Sequence, residues 1–231
     1  MTDKKKIQLI YVGVGAICAM ILGVSFWLTT LRGKLREENA PIVEGAGKEE
    51  AGDLWELEKD LDLVKQDGAA VKISDLKNKV WVAAQYYTSC PMCAARNANS
   101  LLGVYNEYKN EEDFQVVCFS VDPDEDTQEK LQEMTKSLSV DPSNWWFVKA
   151  EREPLLQYMR YEMKFGDIRE RKDPIEAAAK GKWSHDLGIL VFRGNTLVKK
   201  WHERLPPEAL SDVVRAALNE IKKNEVVESN E

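Results

Sequence analysis

Residues 80–105 read VWVAAQYYTSCPMCAARNANSLLGVY. The apolar run Val80–Tyr87 is typical of a buried strand, and two polar turn residues follow it. After Cys90-Pro91-Met92-Cys93, apolar side chains recur at helical spacing, which predicts a helix that begins at Pro91. Two thiols are therefore expected where a strand passes into a helix.

The junction between the predicted strand and the predicted helix favours a reactive cysteine thiol. Pro91 suits the first helical position, and the unpaired N–H groups of a helix N-terminus favour a thiolate, so Cys90 should be acidic and reactive. Cys90 and Cys93 are close enough in the helix to bridge each other or to share one metal ion. A structural zinc site would need a second pair of ligands at short spacing, but Cys18 and Cys118 are isolated. Thiol chemistry and a soft-metal site with two thiolates both stay open, with inert packing as a third alternative.

Composition excludes some classes of protein. The chain has 231 residues, enough for one domain plus additional segments. Its formal net charge of −7 argues against a nucleic-acid partner. Four cysteines are too few for a disulfide framework. Cys118 lies inside a predicted strand, Phe114–Val121, where a small buried hydrophobe is the expected role.

A long uncharged segment, Ile7–Leu31, predicts a single N-terminal transmembrane helix, because about 20 apolar residues span a bilayer and this run is longer. A cleaved signal peptide would have a shorter apolar core and a cleavage site of small residues, and the stretch after Trp27 lacks such a site. Residues 1–6 would form a cytoplasmic stub. Residues 32–52, which are charged and contain glycine, would form a tether.

The charges beside this segment predict its orientation. Lys4–Lys6 precede it and Glu37 and Glu38 follow it, although basic residues also flank the far end. The lysines favour an N-terminus on the cytoplasmic side. The rest of the chain would then lie on the periplasmic or outer side of the cell inner (plasma) membrane.

Residues 53–223 predict one α/β domain, followed by a flexible tail at 224–231. The expected order is a hairpin, three strands alternating with three helices, a second hairpin and a closing helix. Strand–helix alternation predicts a parallel core with right-handed crossovers, which is a thioredoxin-like fold. The terminal elements are the hairpins Leu54–Leu63 with Ala69–Ile73 and Leu187–Phe192 with Thr196–Trp201, and a helix that begins at Pro206 or Pro207.

The sequence predicts the roles of three features that lie between these elements. Asp126 is predicted to cap the second helix, with Glu129 as its capping-box partner. Met159 and Met163 are soft donors, but their helical spacing indicates core residues. Gly166–Lys182 is mostly polar, with an alanine run that predicts a helical turn, and a loop of this length is typically functional or mobile.

His185 immediately precedes the strand that begins the second hairpin. In a thioredoxin-like fold this loop lies beside the helix that carries the cysteines, and redox thioredoxins have a cis-proline there. This chain has Ser184-His185 instead, and the other histidine, His202, is predicted to lie on the surface. A histidine opposite two thiols predicts a ligand role.

Four stretches of the domain resemble the Sco (SenC-type) copper proteins of cytochrome oxidase assembly, and the N-terminal anchor fits that family as well. The resemblance implies a thioredoxin-like fold. The matching stretches, in family order, are TSCPMC at Thr88–Cys93, FSVDPDEDT at Phe119–Thr127, DPSNWWF at Asp141–Phe147 and SHDLGILVFRGNTLVKKW at Ser184–Trp201.

The resemblance also implies a mononuclear copper site with two thiolates and one imidazole, which by motif are Cys90, Cys93 and His185. Copper as Cu(I) or Cu(II) is the implied cofactor. The implied partner is subunit II of cytochrome c oxidase, or another acceptor of copper or thiol chemistry. The role would be to deliver copper to the dinuclear CuA site of that subunit, or to keep the cysteines of that site reduced.

The chain departs from the family pattern at two points. Two residues separate its cysteines where the family has three, and Ser184 precedes His185 where the family usually has aspartate. The shorter spacing favours a disulfide, so a membrane-tethered thiol–disulfide oxidoreductase is the alternative to a copper chaperone. In that function Cys90 would attack a substrate disulfide and Cys93 would resolve the mixed disulfide. A copper or redox sensor is a further alternative.

Overall fold

The computed structural model describes Met20 and residues 55–90, 98–201 and 207–228, without the side chains of residues 98, 207 and 224–228. The chain divides into two units, Met1–Glu50 and Ala51–Glu231. The predicted stub, anchor and tether fall outside the described residues, except for Met20, which is helical and exposed. No helix within the described ranges has the length and apolar content needed to cross a membrane.

The strands of the second unit are β1 Asp62–Lys65, β2 Ala70–Lys72, β3 Val80–Tyr86, β4 Phe114–Ser120, β5 Trp145–Lys149, β6 Arg169–Glu170, β7 Trp183–Ser184, β8 Ile189–Arg193 and β9 Thr196–Trp201. Seven of them form a mixed sheet with the order β2-β1-β5-β4-β3-β8-β9. The three central strands, β5, β4 and β3, are parallel, and every other pair is antiparallel. A two-stranded ladder, β6 with β7, is separate from this sheet.

Helices connect the parallel strands, as the alternating pattern predicted. A 3-10 turn at Ile73–Leu76 follows the first hairpin, and a π-helical turn at Tyr158–Glu162 continues the third helix. The α-helices of the described residues are α1 Ala98–Tyr108, α2 Gln128–Leu138, α3 Arg152–Gln157, α4 Pro174–Lys180 and α5 Pro207–Glu228.

The core lies around β3 and β4, in which every residue is buried. Strands buried on both faces are expected to be mostly apolar, and these two are apolar except for Gln85, Gln115 and Ser120. Trp81 stacks on Phe192 of β8 with ring centroids 4.4 Å apart, and its indole N–H donates to the Gly194 carbonyl at 2.8 Å. This contact fixes the closing hairpin against the central strand.

Met159 and Met163 have no exposed surface, so the prediction that they are core residues is confirmed. Cys118 is also confirmed as a buried residue, with a free thiol and 2% exposure. Burial raises the pKa of that thiol.

Three predicted boundaries are wrong. The first strand is Asp62–Lys65 rather than Leu54–Leu63, because the earlier residues make only an isolated bridge from Glu56 to Thr196. The third helix begins at Arg152, two residues before Pro154, at which the sequence predicts it to begin because proline suits the first turn of a helix. The last helix continues to Glu228, into residues that the sequence assigned to the tail.

Candidate metal and thiol site

The sheet register brings the candidate residues to one edge. β8 runs antiparallel to β3, with Ile189 opposite Ala84, so the residues before β8 lie beside those after β3. β4 runs parallel to β3, with Ser120 opposite Tyr86, so the segment after β4 reaches the same edge. Side chains far apart in the sequence therefore meet where β3 ends.

Cys90 lies four residues beyond the end of β3 and is buried, with 9% exposure. Its backbone N–H donates to the Tyr87 carbonyl at 3.2 Å, and its sulfur is disulfide-bonded. The second predicted thiol, Cys93, lies in residues 91–97, outside the described ranges, as does the predicted beginning of the helix at Pro91.

His185 lies between β7 and β8, and its protonation pattern can be deduced. Its ring nitrogen Nδ1 is 2.8 Å from the carbonyl oxygen of Asp186. Because a carbonyl only accepts, Nδ1 carries the hydrogen, so Nε2 holds the lone pair in the neutral ring. Burial lowers the pKa of His185, which keeps the ring neutral to a lower pH than an exposed histidine. A neutral ring with a lone pair on Nε2 has the form that binds metal ions.

Tyr87 is the residue that connects the cysteine segment with the histidine segment. Its ring meets that of His185 edge to face, with centroids 5.6 Å apart and an interplanar angle of 81°. Its hydroxyl lies 3.3 Å from both the carbonyl oxygen and the amide nitrogen of Trp183. No sequence pattern indicates this role, because Tyr87 is simply the last residue of an apolar run.

Asp186 fixes the other side of the histidine. Its carboxylate accepts the backbone N–H of Gly166 at 3.0 Å and that of Gly188 at 2.7 Å. Its own N–H donates to the side-chain oxygen of Gln85, a buried residue of β3, at 3.0 Å. Trp183 before His185 and Asp186 after it are therefore both tied to the end of β3.

A buried carboxylate supports the segment that leads to Cys90. Asp126 is 1% exposed and accepts the N–H of Thr88 at 2.9 Å, its hydroxyl at 2.6 Å, and the Ser120 hydroxyl. The prediction that Asp126 caps the second helix with Glu129 is wrong. Thr127 is the N-cap instead, and its side chain accepts the backbone N–H of Lys130. Asp126 has non-local donors that satisfy its oxygens, which a local motif cannot reveal.

Cationic side chains surround Trp183, two residues before His185. Arg152 lies over the Trp183 ring, 5.1 Å from its centroid, and Lys182 lies 5.0 Å from it. Arg152 also pairs with the buried carboxylate of Asp122 at 2.5 Å. Arg171 donates to the carbonyls of Gly181 and Trp183. These contacts order the loop before the histidine.

A cavity of about 390 Å³ adjoins the histidine loop on the side of the π-helical turn. Gln85, Met159 and Gly166 line it, and two of these three also bond to Asp186 or its backbone. The long segment Gly166–Lys182 contains β6 and α4, so the helical turn predicted from its alanine run is confirmed.

Two of the three predicted ligands, Cys90 and His185, lie within the described residues. Within the residues that the structure describes, no group of three or more His, Cys, Asp or Glu side chains is arranged to hold a metal ion. Cys93 is outside that set. Cys90 and His185 both contact Tyr87, and sulfur with imidazole nitrogen suits a copper ion.

Comparison with known proteins identifies a family likeness. The SCO1/SenC family model matches residues 50–152. A curated relative, the SCO1 protein homolog of Bacillus subtilis (strain 168), is 29% identical over 84 residues, which is 36% of this chain and 44% of the relative. That match therefore spans less than half of the relative's length.

Solved structures share the fold. A SCO1/SenC family lipoprotein from Bacillus anthracis str. Ames is 25% identical, with a TM-score of 0.60 over 71% of this chain and 94% of that one. BsSco, described as a member of the Sco family of cytochrome c oxidase assembly proteins with a disulfide switch, is 19% identical, with a TM-score of 0.58 over 71% and 93%. ScoI of Arabidopsis thaliana with copper bound is 18% identical, with a TM-score of 0.59 over 71% and 99%.

These structures confirm the predicted mixed α/β, thioredoxin-like fold. The resemblance of this chain to the SCO1/SenC family is thereby confirmed, in its sequence over residues 50–152 and in its fold.

Proposed function

We propose that this chain is a membrane-anchored copper-binding protein of the Sco type. The observation that carries the proposal is the state of His185, whose Nδ1–H is engaged by the Asp186 carbonyl so that Nε2 holds the lone pair beside the Cys90 segment. The copper-bound ScoI of Arabidopsis thaliana, with its similar fold, supports copper as the ion.

Cys90, Cys93 and His185 are the proposed ligands. Cu(I) prefers soft thiolate donors, and a site with few ligands allows transfer by ligand exchange. Both thiols must be reduced and deprotonated before they bind, and the imidazole must be neutral. The Asp186 carbonyl accepts the Nδ1–H and so holds the ring in the required tautomer. Metal-binding histidines usually have such a hydrogen-bond acceptor for their second ring nitrogen.

The proposed acceptor is the CuA site of cytochrome c oxidase subunit II, to which the protein would deliver copper or whose cysteines it would reduce. The description of BsSco as a cytochrome c oxidase assembly protein supports this role. Transfer by ligand exchange needs ligands that a partner can reach, and the loop positions of Cys90 and His185 at the end of β3 support this role.

Replacement of His185 by alanine tests the ligand assignment. We expect His185→Ala to weaken Cu(II) binding by at least about tenfold, a free-energy loss of about 1.4 kcal/mol, while the rate at which the reduced cysteines react with a thiol reagent is unchanged. Copper titration of the full chain, followed by absorbance, and thiol labelling measure the two properties.

The second histidine supplies the matched control. His202→Ala should leave copper affinity unchanged, because His202 is not among the proposed ligands. Equal losses of copper affinity and thiol reactivity in His185→Ala would contradict the ligand assignment.

One observation favours the alternative, a tethered thiol–disulfide oxidoreductase. Cys90 is disulfide-bonded in this structure, and the two-residue spacing of Cys90 and Cys93 favours a disulfide. A Cys93→Ser variant would be unable to resolve a mixed disulfide, so substrates should stay attached to Cys90. The absence of any such adduct with an oxidase subunit or another protein would reject this alternative.

We also propose that Ile7–Leu31 anchors the chain in the cell inner (plasma) membrane, with the domain on the periplasmic or outer side. The uncharged length of the segment and the lysines before it support this topology. The similar Bacillus anthracis protein is described as a lipoprotein, which supports membrane association. Protease protection in intact and opened cells would test the side on which the domain lies.

A further inference from the structure

Tyr87 has a hydroxyl group whose contacts are unusual for a core residue. The side chain is buried, yet the hydroxyl makes two hydrogen bonds to the backbone of Trp183 and also interacts with the Arg171 side chain. The Trp183 N–H donates to the phenol oxygen at 3.3 Å, and the phenol O–H donates to the Trp183 carbonyl at 3.3 Å. A tyrosine hydroxyl can donate and accept at once, which phenylalanine cannot do.

Within the described residues, no ladder pairing joins the segment that receives these bonds to the main sheet, and Trp183 has further contacts from side chains such as Arg171 and Arg152. β7, which contains Trp183, pairs with β6, and each strand has only two residues. The helix between them, α4, buries none of its described side chains. A ladder of two such short strands is weakly stable by itself. A hydrogen bond from a core side chain to β7 therefore has a large effect on where β7 lies.

Tyr87 provides that anchor because it follows directly on β3, a strand that is buried along its whole length. The same residue also touches two of the three proposed ligands. Its carbonyl accepts the Cys90 N–H at 3.2 Å, and its ring packs edge to face against His185. Asp186 holds the loop after His185, so Tyr87 and Asp186 hold the histidine from its two sides.

We propose that the Tyr87 hydroxyl is the positioning group that holds β7, and through it the His185 ring, at the geometry required for metal binding beside Cys90. This inference rests on the proposed copper function. Tyr87 would act through the ligands and would not itself bind the metal.

Tyr87→Phe is the test, since it keeps the ring and removes only the hydroxyl. Loss of the two hydrogen bonds should weaken Cu(II) binding by about tenfold. The ligand-to-metal absorption bands of the copper complex should shift, because the imidazole is less well held. The thiol reactivity of the reduced chain should be unchanged, because both cysteines remain.

Tyr158→Phe is the matched control. Tyr158 is also a buried tyrosine whose hydroxyl donates to a backbone carbonyl, that of Lys59, at 2.9 Å. Its removal should leave copper affinity and the absorption bands unchanged. Equal effects of the two substitutions would overturn the inference, because they would show a general response to the loss of a buried hydrogen bond.

A readout without metal separates failure of this inference from failure of the proposed function. In the copper-free full chain, Tyr87→Phe should accelerate hydrogen exchange at the Trp183 amide and shift the ring resonances of His185, whereas Tyr158→Phe should do neither. If the unmodified chain binds no copper, the proposed function fails and these two signals alone decide the positioning role. The positioning role is rejected if Tyr87→Phe has the same Trp183 amide exchange and the same His185 ring resonances as the unmodified chain. It is also rejected if the unmodified chain binds copper and Tyr87→Phe binds it equally tightly.

Discussion

His185 is half-buried in a loop, and the lowered pKa of its ring makes the metal-free protein sensitive to acid. Burial and the nearby positive charge of Arg171 lower the pKa of His185, while the Asp186 carbonyl and carboxylate oppose this shift. Below the unfolded-state pKa of about 6.5, the unfolded chain binds a proton that the folded chain does not yet bind. The free energy of unfolding should therefore fall as the pH drops from that value to the lower folded-state pKa.

A His185→Asn variant tests this dependence, because asparagine can still donate to the Asp186 carbonyl but does not titrate. Denaturant unfolding of the chelator-treated chain between about pH 7.5 and about pH 5 should show a smaller acid-induced loss of stability in His185→Asn than in the unmodified chain. His202→Gln, which leaves His185 in place, should retain the larger loss. Parallel pH profiles for His185→Asn and the unmodified chain would show that His185 does not titrate abnormally.

Among the elements, the turn from the histidine loop into β8 depends on a glycine. A Cβ added at Gly188 would lie 2.3 Å from the backbone carbonyl oxygen of Trp201, a distance at which the backbone has to move. Gly166 also donates its N–H to the Asp186 carboxylate, but there an added Cβ would be 3.5 Å from the nearest atom. The two glycines share a partner and differ in the space beside them.

We expect Gly188→Ala to lower the free energy of unfolding by about 2 kcal/mol or more, because β8 and β9 would have to separate locally. Gly166→Ala should leave it unchanged or raise it by up to about 1 kcal/mol, since alanine restricts the unfolded chain. Chemical denaturation of both variants measures the difference. Similar losses at the two positions would show that the contact with Trp201 is not the cause.

The elements that the sequence predicted well are those with long apolar patterns. β3, β4 and β9 begin and end within one residue of their predicted bounds, because buried strands repeat apolar side chains over their whole length. β6 and β7 were missed, since two residues are too few to show a period.

Of the candidate site, the sequence predicted the motif residues but not the residues that support them. Its sulfur and histidine positions follow from the motif, and the register of β3 with β8 places Cys90 and His185 at one edge. The supporting groups could not be predicted, because Tyr87, Gln85 and Asp126 act through partners distant in the chain. A local pattern contains no information about which distant donor satisfies a buried oxygen.

At the scale of the whole molecule, the proposed site joins two loops that only folding brings together. Cys90 and Cys93 are close in the sequence, so the unfolded chain retains them as a local thiol pair. His185 reaches this pair only when β8 lies beside β3. Copper bound by all three ligands should therefore favour the folded state, whereas the thiol pair alone also binds copper in the unfolded chain.

We expect copper to raise the melting temperature of the reduced full chain. At a free concentration about 100 times the dissociation constant, a ligand that binds only the folded state stabilises it by about 2.7 kcal/mol. For a protein of this size that corresponds to a shift of roughly 5–10 °C, less what the unfolded thiols remove. His185→Ala should lose at least half of the shift, and Cys118→Ala, which alters a buried thiol outside the site, should keep it. Anaerobic thermal unfolding with and without copper measures these shifts, and an undiminished shift in His185→Ala would mean that the histidine takes no part in holding the metal.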